Sequence, residues 1–584
     1  MTYQAPVDDI MFALKTAADL PHQLANGAGG DMDEETIRAV LDEAGRFASE
    51  VLDPLNRSGD RAGSRLVNGV VHTPPGWKEA YDQFVAGGWT TLACPAEYGG
   101  QGLGSAVSMA ACEIWNAANL AFGVCPLLTN GAIDSLHIGG SDVLKARYLP
   151  KMVSGEWTGT MNLTEPQAGS DLNAVATRAV PQTDGTYKIS GTKIFISYGE
   201  HELTGNIIHL VLARLPDAPP GTRGISLFVV PKFVVNDDGS MGARNDVVCA
   251  GIEHKLGIMA SPTCVMKFGE QGGATGYLVG QENQGLATMF VMMNAARLAV
   301  GVQGVAIAER ATQRAVAFAH ERRQGRALGS VSKAMDPIAV HPDVRRMLID
   351  MQAMTAAARG ICYATAAAAD FAKHGADETE RKSAAMRVAL LTPIAKAFAT
   401  DTAVGVASMG IQVHGGMGFV EEAGAAQHLR DARILPIYEG TNGIQAIDLI
   451  MRKLPLEGGA TVAGYLGELG RTIAAVEAEN DPAFGQMGRR MRETLGALEK
   501  STRWMAQAIG QNPEAALASA TVYARLFGIA AGGHYLAKGA LMAGADARRV
   551  RVARYFAEHV STTGPGLAAT VMEGADVVRD VLRT

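Results

Sequence analysis

The sequence predicts an α+β fold, mostly α, in the order helical, strand-rich, helical and helical again. Its 584 residues are too many for one core and point to about three or four domains. Helical, alanine-rich patterning runs to residue 157, short strand-like runs fill 158–280, and long helical patterns resume from 285 to 453. Strands gathered in one block speak against the alternating strand and helix of a doubly wound sheet. The boundaries follow: an N-terminal lead at 1–37, a helical domain at 38–157, a middle β domain at 158–280, a helical domain at 281–455 and a helical extension at 456–584.

The first long helix is expected over Asp31–Leu52. Asp33, Glu34 and Glu35 suit its positive N-terminus, Ile37, Val40, Leu41, Ala44, Phe47, Ala48 and Val51 keep helical spacing, and Pro54 is expected to end it. A turn follows at Glu97–Gly102. Strands are expected at Tyr187–Ile189, Lys193–Ser197, Ile207–Leu212, Gly224–Val230 and Cys264–Phe268, forming an antiparallel sheet or barrel. The apolar stretch 289–308 is interrupted by Asn294, Arg297 and Gln303, which predicts a buried core helix and not a membrane span. The extension is nearly neutral, is punctuated at Gly532-Gly533 and Gly564-Pro565-Gly566, and is expected to pack against a partner surface.

A hydrophobic fraction of 47% with 19% charged residues is that of a soluble globular protein, and a net charge of −7 gives no reason to expect nucleic acid or an anionic membrane as partner. The six cysteines are scattered without a CxxC pair, which speaks against a disulfide framework or a zinc site and for the cytoplasm. The opening residues lack the basic and apolar regions of a signal peptide. Gly99–Gly102 and Gly415–Gly418 do not match GxGxxG and do not open a helix in a βαβ unit, so a Rossmann domain is not expected.

The most informative stretch is 433–445, Arg-Ile-Leu-Pro-Ile-Tyr-Glu-Gly-Thr-Asn-Gly-Ile-Gln. It sets one carboxylate, Glu439, before a glycine in an apolar segment, and a carboxylate withdrawn from water has a raised pKa and is a stronger base when ionised. Gly440 lets the backbone approach a ligand. Such a glutamate alone is usually a solvated or helix-terminal residue; three other segments change the reading. Tyr438-Glu439-Gly440-Thr441-x-x-Ile444-Gln445 resembles the catalytic segment of acyl-CoA dehydrogenases, and Met161–Asp171, Gly191–Gly199 and Gln412–Gly418 resemble that family's flavin segments, in the family's order.

The resemblance covers residues 38–453 and implies a helical N-terminal domain, a middle β domain and a C-terminal four-helix bundle. It implies that FAD meets Leu163 and Thr164 at the isoalloxazine, Ser170 near the phosphates, Phe195 and Ser197 on the ring flank, and Thr441 and Gln445. Phe195 and Ser197 stand where the family usually has Trp and Thr, keeping an aromatic face and a hydroxyl. Arg322, in Phe318–Gln324, resembles the arginine that reaches the pyrophosphate of a neighbouring subunit's FAD, and Gln412, Gly415 and Gly416 resemble the loop that closes over the ADP half of the flavin across a dimer interface, so a homo-oligomer is implied, a dimer or dimer of dimers. Gly325 stands where that segment has Phe. His414 reads as a loop or core histidine. Some members carry their base just before the arginine matching Arg297; here Ala296 stands there, leaving Glu439 as the base.

Substrate contacts are implied at Ser170, Asn294, Arg297, Tyr438 and Gly440. The implied reaction is α,β-dehydrogenation of an acyl-CoA, Glu439 removing the α-proton, with an electron-transfer flavoprotein as electron acceptor. The opening Tyr3–Asp9, the extension and Pro436 are most similar to larger bacterial members that act on 3-methylmercaptopropionyl-CoA. The alternatives are a medium-chain, long-chain or aryl acyl-CoA dehydrogenase, an acyl-CoA oxidase, and the DNA-associated flavoprotein of the alkylation response. The last needs a basic extension, and only Arg548, Arg549, Arg551 and Arg554 form a basic cluster.

Overall fold

The computed structural model describes residues 2–581 except 29, 31, 332 and 545. The chain forms two compact units, one of Phe47–Leu103 and Ala118–Ala296, the other of Met1–Arg46, Gly104–Ala117 and Arg297–Thr584.

The first expected helix is found as Glu34–Phe47, with the Asp33 carboxylate accepting from Thr36 N at 2.8 Å; Asp31 lies outside the described residues. Pro54 does not end it. Ala48–Leu52 widen into a π-turn, and an α-helix continues over Asp53–Ala62 with Pro54 in its first turn. Proline lacks an N–H and crowds the carbonyl four residues back, and the wider turn relieves both problems.

The first unit holds β1 (Arg65–Val67), β2 (Val70–His72), β3 (Trp157–Asn162), β4 (Arg178–Pro181), β5 (Tyr187–Ser197), β6 (Asn206–Arg214), β7 (Ile225–Pro231), β8 (Phe233–Val235), β9 (Met241–Arg244), β10 (Val247–Ile252), β11 (Thr263–Phe268) and β12 (Ala274–Val279). β1 and β2 form a hairpin inside the region expected to be helical. Asn68 and Gly69, at φ 51° and 80°, supply the two left-handed residues of its turn. The main sheet runs β10-β11-β5-β12-β7-β6-β3, with β4 beside β5 and β6. It is mixed and not antiparallel throughout: β3 runs parallel to β6, Trp157 opposite Asn206. The two short strands expected at 187–189 and 193–197 are one strand, β5. Ile189, Ile196, Val211, Phe228, Cys264 and Phe268 lie in its buried core.

In the second unit, helices Pro342–His374 and Glu378–His414 are joined by residues 375–377. The turn is a reciprocal cap: Glu380 N donates to the Asp377 carboxylate at 2.8 Å and Ala376 N to the Glu380 carboxylate at 2.6 Å. The extension does not wait for a partner surface; helix Pro513–Met542 packs on these two helices. A Cβ on Gly528 would sit 2.5 Å from the Phe398 ring, and one on Gly360 2.7 Å from the Tyr535 Cβ. Gly532-Gly533 is not punctuation but helix interior, with a Cβ on Gly532 falling 2.9 Å from the Ala357 Cβ, and Gly564–Gly566 open the helix Gly564–Glu573. Helices Gly285–Glu321 and Pro513–Met542 are long and apolar enough to cross a membrane, but 80% and 72% of their apolar windows are buried inside the protein.

A buried ion cluster ties helices Ser105–Ala118, Gly285–Glu321 and Pro342–His374 together. The Arg359 guanidinium lies 2.6 Å from the Glu113 carboxylate and 2.8 Å from that of Glu309, and the Tyr363 hydroxyl donates to Glu113 at 2.7 Å. Arg359→Met strands the fully buried Glu113, so stability should fall by about 3–5 kcal/mol. Urea unfolding followed by circular dichroism checks this; a midpoint equal to that of the native protein would show that the cluster is not holding these helices.

Candidate active site

The loop carrying Glu439 leaves helix Ala425–Ala432 in tight turns, with Ile437 N and Tyr438 N both donating to Ile434 O. Glu439 and Gly440 follow in the left-handed region, at φ 54° and 84°. Glycine adopts this freely and glutamate does not, so local strain of about 1–3 kcal/mol is held at Glu439 by its surroundings. Thr441 then caps helix Asn442–Asp448, its hydroxyl accepting from Ile444 N at 3.2 Å.

Buried amides anchor this loop. Asn442 N donates to Pro436 O at 3.0 Å, and the Asn442 side chain donates to the Asp401 carboxylate at 2.7 Å and accepts from Lys396 Nζ at 2.9 Å. The Tyr438 hydroxyl donates to Gln303 Oε1, and Gln303 Nε2 to Asn116 Oδ1 at 3.0 Å. Gln445 Nε2 donates to Gly440 O at 3.1 Å, while its buried Oε1 has no hydrogen-bond partner among the described residues.

Glu439 keeps part of its surface open, yet protein packs densely around its carboxyl. Burial pushes the carboxyl above the usual carboxylate range, and the Arg297 and Lys396 charges oppose the rise. Arg297, itself buried, is 3.5 Å from the Asp448 carboxylate. The site thus contains a carboxylate with raised basicity beside two cations.

In the other unit, Leu163 and Thr164 leave β3 half-buried. Ile194 N donates to Thr164 O at 2.9 Å, and Lys193 Nζ to Leu163 O at 3.1 Å. Lys193 also meets Glu165 at 2.8 Å, and Glu165 accepts from Ala176 N, Thr177 N and the Thr177 hydroxyl. Burial pushes the Glu165 carboxyl up, but Lys193 and these donors overrule it and hold it at about 2. Burial also pulls Lys193 down to about 8. The two shifts disagree on whether the pair favours its charges. The donors around Glu165 decide for the ionised pair.

The register between β5 and β11 slips where Cys264 opposes Ile196 and Met266 opposes Lys193, leaving Ile194 and Phe195 opposite one residue. Phe195 sits in this bulge at φ 60° and 57% exposed. The slip aims an aromatic ring away from the sheet core. Ser197, one pleat further on, is half-buried, and Ser170 is exposed.

Arg322 is exposed at the end of helix Gly285–Glu321, 3.3 Å from Gln324 Oε1. Gln412, Gly415 and Gly416 are exposed at the end of helix Glu378–His414, and a Cβ on either glycine would meet open space. His414 is buried, stacks on Phe318 at 4.3 Å and donates from Nδ1 to Gly410 O at 2.7 Å. Asn294 is half-buried and Ala296 buried. Sequence reasoning missed Lys193, Glu165, Gln303, Lys396 and Asn442. The available signal was a lone charged residue in a largely apolar run, as with Lys396 within 390–398. A 410 Å³ cavity lined by Phe12, Gln313, Ala356, Tyr535 and Arg549 contains none of the candidate residues, and its lining lacks the strained, buried carboxylate that marks the Glu439 loop.

The residues fit FAD, unit by unit: the exposed Phe195 ring, the unpartnered Gln445 Oε1 and the open backbone at Gly415-Gly416 suit a flat, polar-edged, anionic group.

Fold and site define a flavin-dependent dehydrogenase, and comparison with known proteins agrees. Family models match 34–156 (acyl-CoA dehydrogenase, N-terminal domain), 160–270 (middle domain), 283–454 (C-terminal domain) and 465–581 (acetyl-CoA dehydrogenase C-terminal like). The chain belongs to the acyl-CoA dehydrogenase family of FAD-binding oxidoreductases. It is 50% identical over 565 residues, 96% of this chain and 95% of the relative, to 3-methylmercaptopropionyl-CoA dehydrogenase of Ruegeria pomeroyi. Butyryl-CoA dehydrogenase of Syntrophomonas wolfei is 37% identical, covering 85% of this chain and 82% of its own. The solved acyl-CoA dehydrogenase with FAD from Bacillus anthracis shares the fold, with TM-score 0.76, 20% identity, and coverage of 95% of this chain and 91% of that one.

Lys193→Met should cost about 3–5 kcal/mol by stranding Glu165. In the native protein the sign follows from the depressed carboxyl. Its stabilisation is full above the ordinary glutamate pKa and is lost as pH falls towards about 2. Thermal unfolding of both proteins against pH checks this; the gap in Tm should narrow as the solution is acidified below the ordinary glutamate pKa.

Proposed function

We propose that the protein dehydrogenates 3-methylmercaptopropionyl-CoA between Cα and Cβ, with Glu439 as the base that takes the α-proton. The observation that carries this is a carboxylate held in a strained, left-handed conformation, made more basic by burial. The 50% identical relative supports the acyl group.

A thioester α-proton is too weakly acidic for a carboxylate unless the carbonyl oxygen is polarised, and the Glu439 N–H is the donor assigned to that oxygen. Substrate entry expels water and raises the carboxyl further, matching it to the acidified carbon. Tyr438 and Gly440 shape the loop around the acyl group. Asn294, Arg297 and Ser170 are assigned to the remainder of the acyl-CoA.

FAD, when bound, supplies the acceptor for the β-hydride. Leu163, Thr164, Phe195 and Ser197 are assigned to its ring, Ser170 to its phosphate region, and Thr441 and Gln445 to its remaining contacts. Arg322, Gln412, Gly415 and Gly416 would hold the pyrophosphate side of the FAD of a second copy, which makes the active protein a homo-oligomer. The exposed apolar side chains Phe419, Met417, Leu328 and Val331 beside these residues support that reading. An electron-transfer flavoprotein is the proposed electron acceptor and the cytoplasm the proposed location. The DNA-associated alternative is disfavoured by the basic cluster itself: Arg548 and Arg549 pair with Asp9, and Arg554 with Glu558.

Glu439→Gln is nearly isosteric but accepts no proton. FAD content should survive while anaerobic flavin bleaching by 3-methylmercaptopropionyl-CoA falls by more than the roughly 10²–10⁴-fold typical of losing a general base. Bleaching near the native rate in that variant would remove Glu439 from its role.

Light scattering should give a dimer or larger for the FAD-loaded protein, and Arg322→Ala should lower FAD retention on gel filtration. A monomer with stoichiometric FAD would refute the shared-site reading.

A further inference from the structure

Lys396 lies within helix Glu378–His414 in an apolar run, with 0% of its surface exposed. A buried ammonium is expensive unless its position matters or its charge is used. Its hydrogen-bond acceptor, at 2.9 Å, is the amide oxygen of Asn442, the residue that closes the Glu439 loop through Pro436 O. Thr400, one turn further along the same helix, accepts from the Asn442 Nδ2 at 3.0 Å and gives its own proton to Lys396 O at 2.8 Å. A donor and an acceptor from one rigid helix therefore fix the start of the helix that follows Glu439.

We propose that Lys396 is a positioning residue for Glu439: its buried ammonium pins the 436–442 loop through Asn442 and sets a positive charge behind that loop. This rests on the reading of Glu439 as the base.

The charges around the pair come from several elements. Arg297 also opposes the rise of Glu439, but it faces the Asp448 carboxylate, which Arg452 and Lys453 approach as well. Asp401, one turn along from Lys396, attracts the ammonium and is itself approached by Arg433 and Arg525. Burial pulls the Lys396 ammonium down to about 7, Asp401 and Glu439 pull it back, and Arg297 adds to the fall. Its charge is full at acid pH, where Glu439 is closest to being protonated, and is lost as pH rises through about 7. Removing it should make Glu439 harder to ionise, so the acid limb of the pH profile should move upward.

The test uses full-length, FAD-loaded protein and the rate of anaerobic flavin bleaching by saturating 3-methylmercaptopropionyl-CoA across roughly pH 5–9. Lys396→Gln keeps an N–H donor for Asn442 without the charge, Lys396→Met removes both, and Lys396→Arg keeps the charge. In Lys396→Gln and Lys396→Met the acid limb should move up by about one pH unit, a rate about tenfold lower on the limb. The alkaline plateau should fall further in Lys396→Met than in Lys396→Gln, and Lys396→Arg should keep the native limb. An unmoved acid limb in Lys396→Gln and Lys396→Met, both with full FAD content, overturns the proposal. A native protein that no acyl-CoA bleaches overturns the reading of Glu439 and is a separate outcome.

Discussion

Keeping a carboxylate basic requires taking it out of water, and taking it out of water requires other buried charges to stop it from simply neutralising. That constraint organises the second unit around Glu439. Burial pushes the carboxyl above the usual carboxylate range, and the charges of Arg297 and Lys396 oppose the rise. Those cations are buried in turn and need partners of their own: Asp448 for Arg297, Asn442 and the field of Asp401 for Lys396. These groups sit on helices Gly285–Glu321, Glu378–His414 and Asn442–Asp448, so the surroundings of one side chain couple the packing of three elements. The balance stays close to neutral, because one uncompensated charge at any layer costs several kcal/mol.

The strand-rich unit solves a similar problem with the same device. Its 163–171 loop has to present backbone and hydroxyl groups without collapsing onto the sheet. The Lys193–Glu165 pair does this by binding the Leu163 carbonyl on one side and the Ala176–Thr177 backbone on the other. The neighbouring β-bulge turns Phe195 outward, while Ile196 stays in the core. Ordering a loop with a buried ion pair and turning a strand with a bulge both hold a surface in place without covering it.

Helical and strand-rich regions were legible because hydrophobic periodicity reports local geometry. What escaped the sequence depends on contacts distant in the chain. Pro54 reads as a helix end, and only the π-turn before it lets the helix continue. Gly532-Gly533 reads as a break, and only Ala357 and Phe556 packed against them explain glycine inside a helix. β3 has no sequence mark for its parallel pairing with β6, because parallel and antiparallel neighbours ask for the same apolar residues. The hairpin turn at Asn68-Gly69 was readable by its residue types and was passed over within a helical stretch.

At the candidate site the asymmetry has the same cause. Glu439 stands out in sequence because Tyr-Glu-Gly-Thr is a contiguous string, and contiguity is what a sequence displays. Lys396, Gln303 and Asn116 lie tens to hundreds of positions away and reach the loop only after three helices have packed. Each looked like a single polar interruption of an apolar helix, which in most proteins is a tolerated surface residue turned inward at a helix edge. Their burial changes that reading, as do the bonds of Gln303 to Tyr438 and of Lys396 to Asn442, with Asn116 behind Gln303. A solvated lysine or glutamine would cost nothing to replace; one buried under the strained Glu439 loop cannot be removed without moving the loop or the charge it carries. The strain at Glu439 therefore sets how rigid its surroundings must be. A left-handed glutamate persists only where Asn442, Tyr438 and Gln445 hold the chain on both sides of it: Gln445 holds the Gly440 carbonyl, and Asn442 and Tyr438 bind the buried amides and charges of the helices behind.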